Sequence, residues 1–541
     1  NQLASTIDSS HPEFITKKIY LDAFKQFTLP TGQFSPKAKD ALDRAVEDGA
    51  MIVNFTGHGS EEVWMQERIL DSDLIKGWKN GPKYPLFVTA TCEFGRHDDP
   101  FQISSGEKLL LQKQGGSIGL VTTARPVNSS TNFDLNKAFY NALFLKSNGH
   151  YRDLGAIFRD TKNNSLSGVA NRNFSLMGDP SMRLAFPENQ IQINSVKTAF
   201  NSDTLKALST VVIRGEIQQS GIKRSDFQGE VDATLFDRPA SFTTLGDENP
   251  PFTYSRWSNV IFRGKASVIG GDFEIGLVVP KDLEADPGLG KLTLYATNGL
   301  ENASGNRTVA LGGVETVFPP DTTPPEIRLF IGDTTFINGG VASPNTTLVA
   351  QFRDSDGIAI SGYNDSNSLV AVLDDSLTFI LNDYYTALRD DYSHGTVLFP
   401  LKQLQKGRHH IIVQASDTYS NRSSARIDFV ITEGSILISE FYSYPNPFSS
   451  LTESTVLGFT HNRPGEDLDA DLIIYDLAGH LVDSRHYSIT ESYSHVTLAL
   501  WDGAGVNGNK LTSGIYLGKL SVRSLLDGSK NEQITKLIIV N

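Results

Sequence analysis

The chain has 541 residues and a single cysteine, Cys92, so no disulfide can form within it. A lone thiol is either an inert filler of the core or a reactive group. No run approaches the roughly 18 consecutive apolar residues of a membrane-spanning helix. Basic residues are in the minority: 48 Lys and Arg against 62 Asp and Glu leave a net charge of -14, which argues against nucleic acid and anionic membrane surfaces as main partners. The first residues, Asn1-Gln2-Leu3-Ala4, have neither the basic nor the apolar region of a secretory signal, and there is no initiating Met. A mature product or a fragment is expected, so the missing leader does not point to the cytoplasm.

What is present divides the chain into two textures, and its length predicts about three to five domains. Residues 1–188 alternate helix and strand signals. Lys17-Lys18-Ile19-Tyr20-Leu21 reads as a strand, and Ser35-Pro36 reads as a cap and first turn of a helix running to Gly49. Further helices are expected near 105–114, 132–145 and 153–164, and a strand over 117–123. About four strands are counted, fewer than a doubly wound sheet usually carries, so the α/β layer is expected to be N-terminally incomplete. Beyond Pro187, short runs rich in Val, Ile, Thr and Phe alternate with Gly, Asn, Asp and Pro, the spacing of β-sandwiches. Three are expected, over 189–316, 317–434 and 435–541, with a stiff linker at Pro319-Pro320-Asp321-Thr322-Thr323-Pro324-Pro325.

Two stretches of the first region hold candidate chemistry. Ala50-Met51-Ile52-Val53 leads into Asn54-Phe55-Thr56-Gly57-His58-Gly59-Ser60, and Pro85-Leu86-Phe87-Val88 leads into Thr89-Ala90-Thr91-Cys92-Glu93-Phe94-Gly95-Arg96-His97-Asp98-Asp99-Pro100. Each apolar run reads as a buried strand, and the segment from Asp71 to Trp78 between them suits a crossover helix. Strand, helix, strand means a parallel pair, so His58 and Cys92 should emerge at one carboxyl edge, where open α/β sheets keep their chemistry. A thiol beside an imidazole is the residue pair of nucleophilic catalysis. Gly57 and Gly59 allow a close backbone approach, and amides beside Gly59 and at Cys92 suit an oxyanion. The plain alternative is a turn at His58 and a core filler at Cys92.

Other patterns weigh less. Gly115-Gly116-Ser117-Ile118-Gly119 fits the spacing of a hydrolase elbow, but a helix precedes it and a strand follows, the reverse of that motif. His58, Cys92, His97, Asp98 and Asp99 include metal-ligand types without paired spacing, so no metal and no cofactor is expected. Glu93, Asp98 and Asp99 are candidate substrate-binding residues beside the cysteine. Asp354-Ser355-Asp356-Gly357 has the oxygen-rich look of a calcium loop, but it lacks the full motif and reads as a solvated turn.

An apolar strand ending in His58-Gly59, followed by one ending at Cys92, resembles the caspase-like cysteine peptidases and the gingipain family among them. Gly57 to Trp64 and Thr91 to Pro100 are similar to the members that act as signal peptidase and sortase in type IX secretion, and Phe174-Ser175-Leu176-Met177-Gly178-Asp179-Pro180 resembles the segment closing such domains. Tyr444-Pro445-Asn446-Pro447-Phe448 and Ser513-Gly514-Ile515-Tyr516 look like the C-terminal signal domain of that system. The resemblance implies a caspase-like domain followed by immunoglobulin-like sandwiches, with Cys92 as nucleophile, His58 as general base and acid, and the Gly59 and Cys92 amides as oxyanion hole. It also implies a surface endopeptidase and transpeptidase of a Bacteroidetes-type outer membrane. Its partners would be secreted cargo with C-terminal signal domains, an outer-membrane barrel, attachment-complex proteins, and a glycolipid as acyl acceptor. Family members carry a longer N-terminal region, so residues supplied from there cannot be named. A non-catalytic scaffold or adhesin, and a secreted protease that is itself cargo, are the alternatives.

Overall fold

The computed structural model describes the chain except residues 31, 248, 363–368, 432–435, 491 and 526–527. The expected boundary at 434/435 lies outside the described residues. In residues 1–188 a four-stranded sheet is formed by Ile52–Thr56, Leu86–Ala90, Gly119–Thr123 and Phe174–Gly178, in that spatial order. The first three strands run parallel and Phe174–Gly178 closes the edge antiparallel.

The sheet is covered on both faces, which is why the central strands are apolar throughout rather than alternating. All five residues of Leu86–Ala90 are buried. Phe87 and Leu120 face a core completed by Leu42 and Val46 of the helix Pro36–Glu47, Ile75 of Ser72–Gly77 and Leu109 of Ser105–Leu111. Leu86, Val88 and Val121 face the opposite core, with Leu135 and Phe139 of Ser129–Leu143 and Leu154 and Ile157 of Leu154–Asn163. Asp71 caps the crossover helix by accepting from Leu74 N at 2.9 Å.

The strand expected over Lys17–Leu21 is not formed. That segment packs on the hairpin Ala240–Thr243/Thr253–Arg256 of the next block. Lys18 Nζ donates to Ser255 O at 2.8 Å and pairs with Asp8 at 2.8 Å, and the Tyr20 and Tyr254 rings meet edge to face at 4.8 Å. Leu245 N donates to Asp22 O at 2.7 Å. Polar contacts fixed by a partner more than 200 residues away override the local pattern.

The remaining chain is β structure built in three blocks. Of the strands from Asn189–Thr198 to Asn302–Val314, nine form one connected sheet around a single core, with the long strand Asn302–Val314 pairing three of the others, while Ala240–Thr243 and Thr253–Arg256 pair as a separate hairpin. From Glu326 to Ile431, a four-stranded and a five-stranded sheet enclose the second core. From Ile438 onward, a three-stranded and a four-stranded sheet enclose the third. The α/β layer contacts each block: beyond the hairpin contacts, Asp43 pairs with Lys402 at 3.1 Å, and Gln114 donates to Asp467 at 3.3 Å. No helix among the described residues is long and apolar enough to cross a membrane.

The turn at Asp354 is not solvated. Asp354 is buried, and its carboxylate converges with those of Asp321 in the linker and Asp417. Burial, reinforced by the negative charge of Asp417 and Asp321, pushes the Asp354 carboxyl up to about 7.

Candidate active site

The Ile52–Thr56 and Leu86–Ala90 strands pair in register, with Thr56 opposite Ala90. His58 and Cys92 each follow two residues later, so they leave the sheet at equal height on neighbouring strands. The loops then touch. A Cβ on Gly59 would lie 2.5 Å from Thr91 Oγ1 and 3.1 Å from Val63 O, so only glycine lets the His58 loop pass this close to the residue preceding the cysteine.

Each loop has its own internal frame. Ser60 N donates to Val63 O at 3.0 Å and Met65 N to His58 O at 3.0 Å, folding the histidine loop back on itself. Its anchor is Trp64, which stacks on Phe55 at 4.2 Å and lies 5.5 Å from Phe94 of the cysteine loop. After Cys92 the chain turns sharply: Glu93 adopts φ 55°, and Arg96 N donates to Glu93 O at 3.0 Å. A non-glycine residue in the left-handed region is costly, and such strain is typical where a reactive group is presented at a loop tip.

Two helices lock the loops together. At the start of Ser105–Leu111, Ser105 N donates to Glu61 O and its hydroxyl to Glu62 O, both at 2.7 Å, while Gly106 N donates to Phe94 O at 3.0 Å. One helix end thus holds both loops. From the other face, Asn132 Nδ2 donates to Ala90 O at 2.9 Å and Asn136 Nδ2 to Thr56 Oγ1 at 3.4 Å. Two asparagines one turn apart therefore brace the carboxyl ends of both strands.

Charge pairs complete the frame. Arg96 pairs with Glu61 across the loops and lies 3.5 Å from Glu93 and 3.6 Å from Asp99. Arg125, in the loop leaving Gly119–Thr123, makes a two-bond fork to Asp98. That fork holds the Asp98 carboxyl down at about 2. The three candidate substrate-binding carboxylates, Glu93, Asp98 and Asp99, are thus gathered round two arginines.

The thiol is partly exposed and the His58 side chain exposed. Cys92 Sγ donates to Val127 O at 3.5 Å, while among the described residues the His58 ring has no hydrogen-bond partner. Among the described residues, the Gly59 and Cys92 amides make no hydrogen bond within the protein. Val127 is also one wall of a cleft of about 330 Å³, together with Pro126, Asn128 and Thr131 and with Val169, Ala170 and Asn173. His97 turns away, its Nδ1 at 3.1 Å from Gly95 O, and the acidic trio Asp321, Asp354 and Asp417 is the one cluster of possible metal ligands among the described residues.

Residues 1–185 match the model of peptidase family C25. That family is one of cysteine-type peptidases, and the matched span contains both loops and all four strands of the sheet. Among solved structures, the chain is 28% identical to dimeric latent PorU from Porphyromonas gingivalis, over 79% of this chain and 40% of that one, with a TM-score of 0.31. It is 19% identical to the Arg-specific cysteine proteinase gingipain R, over 52% of this chain and 56% of that one, with a TM-score of 0.26. The complex of Porphyromonas gingivalis RgpB pro- and mature domains is 17% identical, over 50% of this chain and 57% of that one, with a TM-score of 0.26. The chain therefore spans about two-fifths to just under three-fifths of these structures' length. A comparison with curated proteins finds no match.

The sequence pattern singled out His58, Cys92 and Gly59, but not the asparagine braces, Arg125 or the Val127 loop. Asn132 and Asn136 carried a signal of their own, polar residues four apart on a helix face that also carries Leu135 and Phe139.

Proposed function

We propose that this chain is a cell-surface cysteine endopeptidase with transpeptidase activity, a sortase that removes the C-terminal signal domain from type IX secretion cargo. The observation that carries the peptidase reading is the placement of His58 and Cys92 at equal height on neighbouring parallel strands, inside the C25-matching segment. The finer reading is supported by the likeness of the two loop sequences and of the Tyr444–Phe448 and Ser513–Tyr516 stretches to that system.

The reaction follows from the parts. His58 takes the thiol proton, and Cys92 Sγ attacks the carbonyl carbon at the junction between cargo and signal domain. The Gly59 and Cys92 amides hold the oxyanion. When the C–N bond breaks, His58 gives its proton to the departing amine, which leaves with the signal domain, and the cargo remains as a thioester on Cys92. Water, or an amine on a surface glycolipid, then attacks the thioester. His58 removes its proton and returns it to sulfur, releasing an acid or an amide. Cargo, glycolipid and the outer-membrane attachment proteins are the partners this reading requires.

The test is incubation of the protein with cargo bearing its signal domain. Loss of processing in Cys92→Ala is expected, and processing at the unaltered rate would exclude the proposal. A secreted peptidase that is itself cargo is favoured by the same tail, and intact mass decides: cargo loses residues from about 440 onward, a sortase keeps them.

A further inference from the structure

Strand order gives the site a direction. The Cys92 strand lies between the His58 strand on one side and Gly119–Thr123 on the other. A histidine that protonates the leaving amine must stand on the leaving-group side. The acyl part of the substrate therefore lies on the opposite side, where the chain leaving Gly119–Thr123 brings Val127 O to 3.5 Å from the thiol. The 330 Å³ cleft opens there.

The chemistry of that cleft is neutral. None of its walls bears a formal charge: Pro126, Val127 and Asn128 face Thr131, Val169, Ala170 and Asn173. Each of its polar side chains bonds to another residue of the cleft or its rim. Asn128 Oδ1 accepts from Thr131 N at 3.1 Å and Ser130 Oγ at 2.8 Å, Thr131 Oγ1 donates to Asn128 O at 2.8 Å, and Asn173 Nδ2 donates to Pro126 O at 3.1 Å. Arg125, next to Pro126, is tied to Asp98, so each neutralises the other at the rim. Val169 is 68% exposed and presents its methyl groups without apolar cover.

We infer that this cleft receives the first side chain on the acyl side of the scissile bond and selects an uncharged aliphatic residue, rejecting Arg, Lys, Asp and Glu. An ionic side chain entering it gives up water and finds no counter-ion, whereas a Val or Leu side chain covers Val169 and Val127. The inference rests on the cysteine-peptidase reading and assigns that site's substrate class.

The test uses the full chain and peptidyl acyloxymethyl ketones that differ only in the residue next to the ketone: Val, Leu, Arg or Glu. Attack by Cys92 Sγ displaces the carboxylate and leaves a thioether, counted by mass at the only cysteine. The Val and Leu probes should label at least about tenfold faster than Arg or Glu, the scale of one unfavourable buried polar group. Val169→Asp should bring the Arg probe up relative to Val, with each peptide rate taken relative to that variant's own iodoacetamide rate, because iodoacetamide occupies no subsite. Equal or faster labelling by Arg in the unaltered protein overturns the inference and leaves the peptidase reading standing. Aliphatic preference that Val169→Asp does not alter overturns the assignment to this cleft. Labelling by iodoacetamide but by none of the peptides overturns both.

Discussion

Gly59 lies so close to Thr91 that a Cβ on the glycine would sit 2.5 Å from the threonine Oγ1. The loop carrying the imidazole is thereby seated directly on the residue before Cys92. Gly59→Ala should displace one loop by a fraction of an ångström to an ångström and lower kcat/KM by about 100-fold, the usual consequence of misaligned reacting groups. The second variant, Gly59→Ala with Thr91→Ala, removes the crowding γ atoms and should recover part of the loss. Cleavage rates of the two variants check this, and equal rates would mean that the contact does not set the alignment.

Asn132 carries a stability prediction. Its Nδ2 donates to Ala90 O in a buried setting, so Asn132→Ala removes that carbonyl's side-chain partner. A cost of about 1–3 kcal/mol is expected, seen as a fall in the Tm of the α/β region together with slower cleavage. Asn132→Gln, which keeps the amide on a longer arm, should not restore the rate.

Arg96 is predicted to matter for rate rather than for stability. It joins Glu61 of the histidine loop to the cysteine loop while remaining partly open to solvent. Arg96→Gln should slow cleavage by roughly tenfold through loss of loop registration and change Tm little. The activity of the unaltered protein should also fall more steeply with added salt than that of the variant.

Asp354 gives a pH dependence whose sign is fixed. Its carboxyl titrates near the ordinary value of about 3.9 when unfolded and at about 7 in the fold, raised first by burial. Between these values the folded chain holds a proton that the unfolded chain has released, so stability falls as pH rises from about 4 to 7. Asp354→Asn should flatten that slope and raise Tm at pH 8. His461 acts in the opposite sense: burial pulls it down to about 4, so its stabilisation is lost as pH falls from about 6.5 toward 4. Calorimetry from pH 4 to 8 on both proteins checks the pair, and an unchanged slope in Asp354→Asn would contradict it.

The sequence was most legible where local pattern and tertiary role agree. Two apolar runs flanking a capped crossover segment are enough to place His58 and Cys92 on one edge, because a parallel pair needs only buried strands and a helix between them. It was least legible where a residue's partner is remote. Lys17–Leu21 alternates like a strand, yet Lys18 and Tyr20 are held by Asp8, Ser255 and Tyr254. Asp354 reads as a solvated turn until folding brings Asp321 and Asp417 against it. The nine-stranded sheet of the first β block depends on which strands Asn302–Val314 joins, a choice that alternation does not encode. Val127 beside the thiol belongs to a loop without periodicity, so no sequence signal marked it.

The central claim is that Cys92 and His58 act together, and a single cysteine makes it directly measurable. The rate of iodoacetamide alkylation, followed by mass, should be at least about tenfold above that of a model thiol at pH 6.5 in the intact protein, where the imidazole assists proton removal. His58→Ala should return the rate to that of the model thiol. Alkylation of the intact protein no faster than the model thiol, and unaffected by His58→Ala, would contradict the account.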